Sequence, residues 1–180
     1  MRKEDHNLGI VYAAYFGGMT LLMWSWNLGT IWWLVGGLLG VGFVMVDRFI
    51  YVLLTKPHEH LSEHVRHLLN EKRFLDAIKL LRARGDEQRE LTVKSVFFMA
   101  AWIPAALFVM TSTASMLAMG FVMGIGLHLL YDVWKDRNNI EKLKEWLFWP
   151  IKREVSDKEV KVVVGLFGVF FGILSIGLVI

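Results

Sequence analysis

The chain has 180 residues, of which 55% are hydrophobic and only 21% are charged. A soluble domain of this length could not cover so much apolar surface, so the composition excludes an ordinary soluble domain and indicates that lipid covers part of the chain. The absence of cysteine excludes a disulfide framework, a thiol nucleophile and thiolate metal ligands. The net charge of +3 is interpreted as attraction to anionic lipid headgroups, and no nucleic-acid partner is expected.

Five apolar stretches are long enough to cross a hydrocarbon core, which takes roughly 20 helical residues. In chain order they are Leu8–Trp26, Gly29–Leu54, Ser95–Thr113, Ala114–Trp134 and Val162–Ile180. The links after the first and third stretches are very short, so each is predicted to join two spans into a tight hairpin. The predicted fold is therefore an all-α, polytopic membrane protein with five transmembrane helices.

The basic residues predict the orientation of these spans. Every Lys and Arg lies near the N-terminus, or at or after the end of the second or fourth span, and the opposite turns and the C-terminus carry none. The positive-inside rule then places the N-terminus in the cytoplasm and the C-terminus outside. The predicted localisation is the cell membrane, the inner membrane in a two-membrane cell, with membrane lipids as partners.

Two further segments are predicted to lie on the cytoplasmic side. Pro57–Gly85 has two apolar stripes at helical spacing and is predicted to be a helical hairpin, with Pro57 in a first helical turn. Asn139–Lys152 places apolar residues among Lys and Glu, which is typical of an amphipathic helix in the interface plane. The predicted units are 1–56 and 91–137 as transmembrane hairpins, 57–90 as the cytoplasmic hairpin, 138–158 as the interfacial helix and 159–180 as the last span.

Several ionisable residues are predicted to lie at one depth in the membrane. Asp47 and Asp132 each follow the start of their span by 18 residues, about 27 Å of helix, which places both near the inner boundary of the hydrocarbon. His128 precedes Asp132 by one helical turn and shares its helix face. The same topology brings His6, Arg48 and Lys94 to this boundary. Ionisable groups in spans are costly and indicate a functional site, with separate snorkelling or capping residues as the alternative.

Three short segments resemble motifs of a known family. Gly126–Asp132, with its His-x-x-x-Asp core, is similar to the last motif of the YdjM-like family of predicted membrane-bound metal-dependent hydrolases. Met45–Tyr51 resembles the Asp-x-Asp-His segment of that family, and Thr92–Ser95 falls where the family has Thr-His-Ser. The resemblance implies Asp47, His128 and Asp132 as catalytic residues and as ligands of a divalent Zn, Mn or Mg ion, with His6 as a further ligand.

The chain departs from that pattern where Met45 replaces an acid and where Arg48 and Lys94 replace histidines. Two permanent positive charges beside a divalent ion would repel it and compete for its carboxylate ligands. We therefore predict that the two basic residues replace the metal and pair with Asp47 and Asp132, in a structural cluster or one that holds a lipid phosphate. No cofactor is expected on this interpretation.

The sequence leaves three functional alternatives. The favoured one is a non-catalytic relative that binds a lipid headgroup or a partner. The second is a metal-dependent hydrolase that acts on a phosphoester or lipid at the inner leaflet. The third is an oligomeric transporter or channel, which only the repeated layout and the glycines favour.

Two further patterns carry weaker expectations. His60, His64 and His67, with His58 nearby, share one helical face that could hold a metal, although a solvated face is the favoured interpretation. Three Gly-x-x-x-Gly pairs, at Gly36/Gly40, Gly120/Gly124 and Gly168/Gly172, predict close helix packing within the bundle, with self-association through the last span as the alternative.

Overall fold

A computed structural model describes residues 3–23, 26–88, 90–112 and 114–179, without the side chains of residues 3–6 and 86. The described part of the chain contains helices and no strand, which confirms the predicted all-α class. In chain order the α-helices are α1 (Lys3–Met23), α2 (Leu28–Ile50), α3 (His60–Asn70), α4 (Phe74–Ala83), α5 (Val96–Ser112), α6 (Met116–Asp136), α7 (Ile140–Leu147) and α8 (Asp157–Gly177).

Three of these helices are long and apolar enough to cross a membrane. They are α2 with its π-helical extension through Thr55, α6 and α8. The apolar part of α1, Asn7–Met23, and the whole of α5 are also apolar but shorter. The five predicted spans therefore all fall on apolar helices, and three of them have the length that a span requires.

Two predicted boundaries are corrected by the local structure. Pro57 lies in a turn, because α2 continues as a π-helix over Tyr51–Thr55 and ends where the Lys56 N–H donates to the Tyr51 carbonyl at 2.8 Å, so α3 begins only at His60. The last helix begins at Asp157, five residues before the predicted span. Ser156 and Glu159 form a capping box there, in which the Ser156 Oγ accepts the Glu159 N–H at 3.3 Å and the Glu159 carboxylate accepts the Ser156 N–H at 2.9 Å.

The most extensive packing in the chain is between α2 and α6. Gly36 and Gly40 of α2 face the backbone of α6, and a Cβ atom at either would overlap the carbonyl oxygen of Leu117 or Phe121. Gly120 and Gly124 of α6 face α2 in the same way and approach the carbonyl oxygens of Trp33 and Gly37. The two helices thus touch backbone to backbone through reciprocal glycine pairs. The predicted hairpin neighbours α1–α2 and α5–α6 make smaller contacts.

The other apolar helices surround α6. Helix α6 is the most deeply enclosed of the candidate spans and contacts α1, α5, α7 and α8 as well as α2. Aromatic side chains fill the angles between these helices: Phe16 of α1 packs on Trp33 of α2, and Trp102 of α5 packs on Phe167 and Phe171 of α8. The core of the protein is therefore built around α6.

The hairpin of α3 and α4 packs beside the end of α2. Its apolar face contains Leu61, Val65 and Leu68 of α3 with Ala77 and Leu81 of α4, and this face buries the π-helical residues Tyr51 and Val52. The three histidines of α3 that share a face, His60, His64 and His67, are exposed. The hairpin is thus held against the side of the last turns of α2.

Helix α7 is amphipathic, as its sequence predicts, and its apolar face packs on protein. Leu143, Trp146 and Leu147 are buried in the same core as Val133 of α6 and Val160 of α8. The Trp146 Nε1–H donates to an Asp136 carboxylate oxygen at 3.1 Å. Contacts with α6 and α8 therefore hold this helix at the charged end of the bundle, and its placement in an interface plane stays a prediction.

The glycine contact predicts a position-dependent effect of one added methyl group. We expect Gly40→Ala or Gly120→Ala to lower the thermal unfolding midpoint of the detergent-solubilised protein, because the methyl group meets backbone atoms that cannot move aside; the expected cost is about 1–3 kcal/mol. Gly168→Ala and Gly172→Ala are the controls, since their Cβ positions lie 3.9 Å from the nearest atom or in open space. Equal effects at all four positions would contradict the packing of α2 against α6.

Candidate functional site

The close contact of α2 and α6 brings the C-terminal ends of the two helices side by side. Asp47 and Arg48 lie in the last turns of α2, and His128 and Asp132 lie in the last turns of α6. Lys94 lies in the loop just before α5 and reaches the same place. The structure thus gathers five of the six residues selected from the sequence at one end of the bundle. The side chain of His6 lies outside the described residues.

The Asp47 carboxylate forms a hydrogen bond with a backbone N–H group. Its side chain is buried, with only 2% exposed, and one carboxylate oxygen accepts the Val93 N–H at 2.7 Å. This bond ties α2 to the loop that precedes α5. In the same loop Ser95 caps the helix, since its Oγ accepts the Phe98 N–H at 3.2 Å. Asp47 therefore fixes the segment that carries Lys94.

His128 is held in one orientation by a carbonyl of α2. Its Nδ1 lies 2.8 Å from the Val41 oxygen, and because a carbonyl oxygen only accepts, Nδ1 carries a proton and donates it. Because the two helices approach closely at Gly40, the His128 side chain of α6 can reach this carbonyl of α2. The other ring nitrogen, Nε2, then faces Asp132 at 3.5 Å.

Lys94 forms a buried ion pair with Asp132. The Nζ atom contacts the same carboxylate oxygen, Oδ2, that faces His128 Nε2. The two side chains are only 13% and 14% exposed. The ammonium group also lies 6.0 Å from the centre of the Trp146 ring of α7. The ion pair thus connects the loop before α5, α6 and α7, and it matches the pairing expected for Lys94.

Arg48 contacts the α3–α4 hairpin. Its Nη1 donates to the Leu81 carbonyl of α4 at 2.9 Å, and its guanidinium packs so closely on Gly85 that a Cβ atom there would overlap it. The Gln88 side-chain amide donates to the Arg48 carbonyl at 3.4 Å. Arg48 therefore joins the α3–α4 hairpin to α2, while the Asp47 carboxylate accepts the Val93 N–H.

A cavity of about 270 Å³ lies beside this cluster. Apolar residues of α1 and α2 and polar residues of α2, α4 and α6 line it. The apolar lining residues, here called the apolar wall, are Leu8, Leu38, Val41, Val44 and Met45 with Gly42, and the polar lining residues, here called the polar wall, are Arg48, Arg82, His128, Tyr131, Asp132 and Lys135. The cavity thus combines a hydrocarbon-like surface with three basic side chains.

Three residues of the polar wall were not selected from the sequence. Tyr131 and Lys135 lie three and seven residues after His128, so the helical periodicity of α6 was a signal that could have found them. Arg82 had no such signal, because it reaches the cavity from α4 through the packing of the hairpin on α2.

The predicted metal ligands do not form a complete ligand set in the described residues. Within those residues no group of three or more His, Asp or Glu side chains is arranged to hold a metal ion. The structure instead has an ammonium group, that of Lys94, on the carboxylate oxygen nearest to His128.

Comparison of the chain with protein-family models, with curated proteins and with solved structures finds no match. The resemblance to the YdjM-like family therefore rests on the three short motifs alone and stays a prediction.

The buried ion pair predicts strong coupling between Lys94 and Asp132. We expect Lys94→Met to destabilise the protein by about 3–5 kcal/mol, because it leaves the Asp132 carboxylate buried without its partner. The double variant Lys94→Met/Asp132→Leu should lose much less than the sum of the two single variants, since no uncompensated charge remains. Unfolding of the four proteins in the same detergent gives the coupling energy.

Lys79→Met is the control for the loss of one positive charge. Lys79 is 77% exposed at its side chain and lies 3.7 Å from Asp76, and exposed pairs contribute about 0–1 kcal/mol. Additive effects of Lys94→Met and Asp132→Leu would show that the pair does not interact as the structure indicates.

Proposed function

We propose that this chain is a multi-pass membrane protein that holds an anionic lipid headgroup in the cavity at the charged ends of its helices. On this proposal all five apolar helices cross the bilayer, and their charged ends face the cytoplasm. The segments near the basic residues are the start of α1, the ends of α2 and α6, the starts of α5 and α8, and the helices α3, α4 and α7. All of them belong to one face of such a bundle, which supports the orientation by the positive-inside rule.

The observation that carries the headgroup proposal is the composition of the cavity walls. A phospholipid at the inner leaflet has a phosphate next to its acyl chains, so a site for it needs basic groups beside an apolar surface. Arg48, Arg82 and Lys135 supply the basic groups, and Leu38 and Val41 of α2 contribute to the apolar surface. Arg48 is also held in place by the Leu81 carbonyl and by Gly85, so little side-chain freedom is lost when its guanidinium binds a phosphate.

The polar cluster beside the cavity has a supporting role in this proposal. Asp132 is neutralised by Lys94, so it adds less repulsion toward a phosphate than an isolated carboxylate would. His128 contributes its fixed imidazole to the wall. The chain is then a non-catalytic protein in which a structural ion pair underlies a lipid site.

We expect the solubilised protein to be stabilised against heat by phosphatidylglycerol more than by phosphatidylcholine. Arg82→Gln and Lys135→Gln should each weaken the apparent affinity for the anionic lipid about fivefold, because one basic group near an anionic headgroup contributes about 1 kcal/mol. Lys161→Gln removes the same charge at an exposed position of α8 outside the cavity, and it should leave the affinity unchanged. Thermal unfolding over a lipid titration measures these affinities.

Inorganic phosphate provides the second arm of that titration. A lipid site should respond to phosphatidylglycerol at concentrations where phosphate alone has no effect, since only the lipid contacts the apolar wall. Stabilisation by phosphate alone, to the same extent, would indicate a site for a free anion. Loss of lipid binding in Lys161→Gln, equal to that in Arg82→Gln, would contradict the cavity as the site.

A metal-dependent hydrolase is the second candidate, and one observation favours it. Histidines that bind metal ions usually donate their second ring N–H to a carbonyl or carboxylate, and His128 donates Nδ1–H to Val41 while Nε2 faces Asp132. With Asp47 as a third group, the substrate would be a phosphoester or lipid at the inner leaflet. The Lys94 ammonium on Asp132 opposes this candidate, because it holds the place that a cation would take.

Elemental analysis of the purified protein separates the two candidates. We expect no stoichiometric Zn, Mn or Mg, and we expect Asp47→Asn to keep most of the stability, since an amide oxygen can still accept the Val93 N–H. A stoichiometric metal that is lost in both His128→Ala and Asp47→Asn would restore the hydrolase and exclude the ion-pair interpretation.

A further inference from the structure

The hairpin of α3 and α4 exposes apolar residues at its tip alone. Phe74 and Leu75, the first two residues of α4, are 58% and 72% exposed. In the described part of residues 57–88 no other large hydrophobic side chain is exposed. The remaining apolar residues of the hairpin face Tyr51 and Val52 or are partly buried beside them. The tip therefore has an apolar surface that the fold of the hairpin does not use.

Basic residues stand next to this apolar surface. Lys72 and Arg73 immediately precede Phe74, and Arg66 and Lys79 lie one to two turns away on α3 and α4. Arg73 shares its charge with Asp76 at 3.0 Å and with Glu71 at 3.3 Å. The four basic groups exceed these two acids, so the tip has an excess of positive charge next to its two large apolar side chains. This combination is typical of segments that enter an anionic membrane surface.

The turn itself places a lysine where glycine is favoured. Lys72 has a φ angle of 59°, in the left-handed region, which side chains with a Cβ atom adopt at a cost. Such a residue is found where another demand outweighs local stability. Here the conformation ends α3, because the Lys72 N–H donates to the Leu69 carbonyl at 3.0 Å and the Arg73 N–H donates to the Leu68 carbonyl at 2.9 Å.

The packing of the hairpin sets its height relative to the membrane. Helix α3 runs beside Tyr51–Thr55, the last segment of a candidate span, and α4 ends against Arg48 of the same helix. Arg82 of α4 even lines the cavity together with Leu38 and Val41. The last turn of α4 thus lies beside the end of α2, and Phe74 at the tip is seven residues, about 10 Å of helix, from Leu81. With α2 as a span, this distance places the tip within reach of the headgroups.

We propose that the α3–α4 tip is a membrane-surface anchor, in which Phe74 and Leu75 insert into the headgroup layer of the leaflet where α2 ends and the adjacent basic side chains bind anionic lipid. The proposal rests on α2 spanning the bilayer, which is part of the proposed function, but not on lipid binding in the cavity. A tip anchored in this way would hold α4, and hence Arg82, in a fixed position beside the cavity.

The lack of cysteine in the chain allows a direct test by single labelling. The full-length protein would carry one cysteine with an environment-sensitive fluorophore at Leu75, at His64 or at Leu39, and would be reconstituted in vesicles of phosphatidylcholine and phosphatidylglycerol. All three side chains are exposed, so labelling leaves the core intact. Quenching by lipids with a spin label on the acyl chain then reports contact with the bilayer.

We expect the label at position 75 to shift its emission to the blue and to be quenched, and the label at position 64, on the polar face of α3, to remain unquenched. The label at position 39, in the middle of α2, should be quenched by deep spin labels. Quenching at 39 without quenching at 75 would overturn the anchor while leaving the span intact. Equal quenching at 75 and 64 would also overturn it. No quenching at 39 would remove the span itself and the anchor with it.

Lys72→Gly separates the charge of the tip from its fold. Glycine adopts the left-handed conformation without cost, so the variant should unfold at the same temperature or higher. We expect it nevertheless to reduce the quenching at position 75 in vesicles that contain phosphatidylglycerol, and to have no effect in pure phosphatidylcholine. An unchanged signal in both vesicle types would show that the basic residue does not contribute to anchoring.

Discussion

The backbone contact between α2 and α6 is the interaction on which the rest of the structure depends. Four glycines remove the side chains that would otherwise separate the two helices, and dispersion between closely packed backbones stabilises such a pair where lipid offers no hydrophobic driving force. The contact is made between the second helices of two hairpins, so it also joins the two halves of the chain. Because the helices run in the same direction, their polar ends meet at one face, and His128 can reach the Val41 carbonyl.

The two halves resemble each other in position but differ in chemistry. Gly36 and Gly40 precede Gly120 and Gly124 by 84 residues, and Arg48 precedes Asp132 by the same interval. Equivalent positions thus carry opposite charges. Each is satisfied by a different segment: Arg48 by the carbonyl of Leu81 in α4, and Asp132 by Lys94 in the loop before α5. The polar cluster is therefore asymmetric even though the glycine contact is reciprocal, and the cavity opens on one side of it.

Much of the helical layout could be predicted from the sequence, because apolar length and charge position are local properties. The meeting of Asp47, His128 and Asp132 at one end of the bundle followed from counting residues along helices, and a pairing of Lys94 with an aspartate followed from charge. The partner of Asp47 could not be predicted, because it is the backbone N–H of Val93, a group that every residue except proline has. The turn of Arg48 toward Leu81, and the presence of Arg82 at the cavity, depend on how α4 packs against α2. Helical periodicity does not encode that packing, nor did it predict the start of α8, where the Ser156–Glu159 capping box outweighed hydropathy.

The Lys94 ammonium has a consequence for what the cluster can do. A metal ion on Asp132 would exchange with solvent and would bring two charges and open coordination positions, whereas an ammonium group brings one charge and is tethered to the backbone. Lys94 is tethered through the loop that Asp47 fixes, so the two aspartates have linked roles. Asp47 holds the loop before α5, and Asp132 pairs with the Lys94 ammonium group that this loop carries. The neutralisation of Asp132 is then a permanent part of the fold, independent of any ion supply. A neutralised carboxylate supports the proposed anion site, because it repels a phosphate less than an isolated carboxylate would.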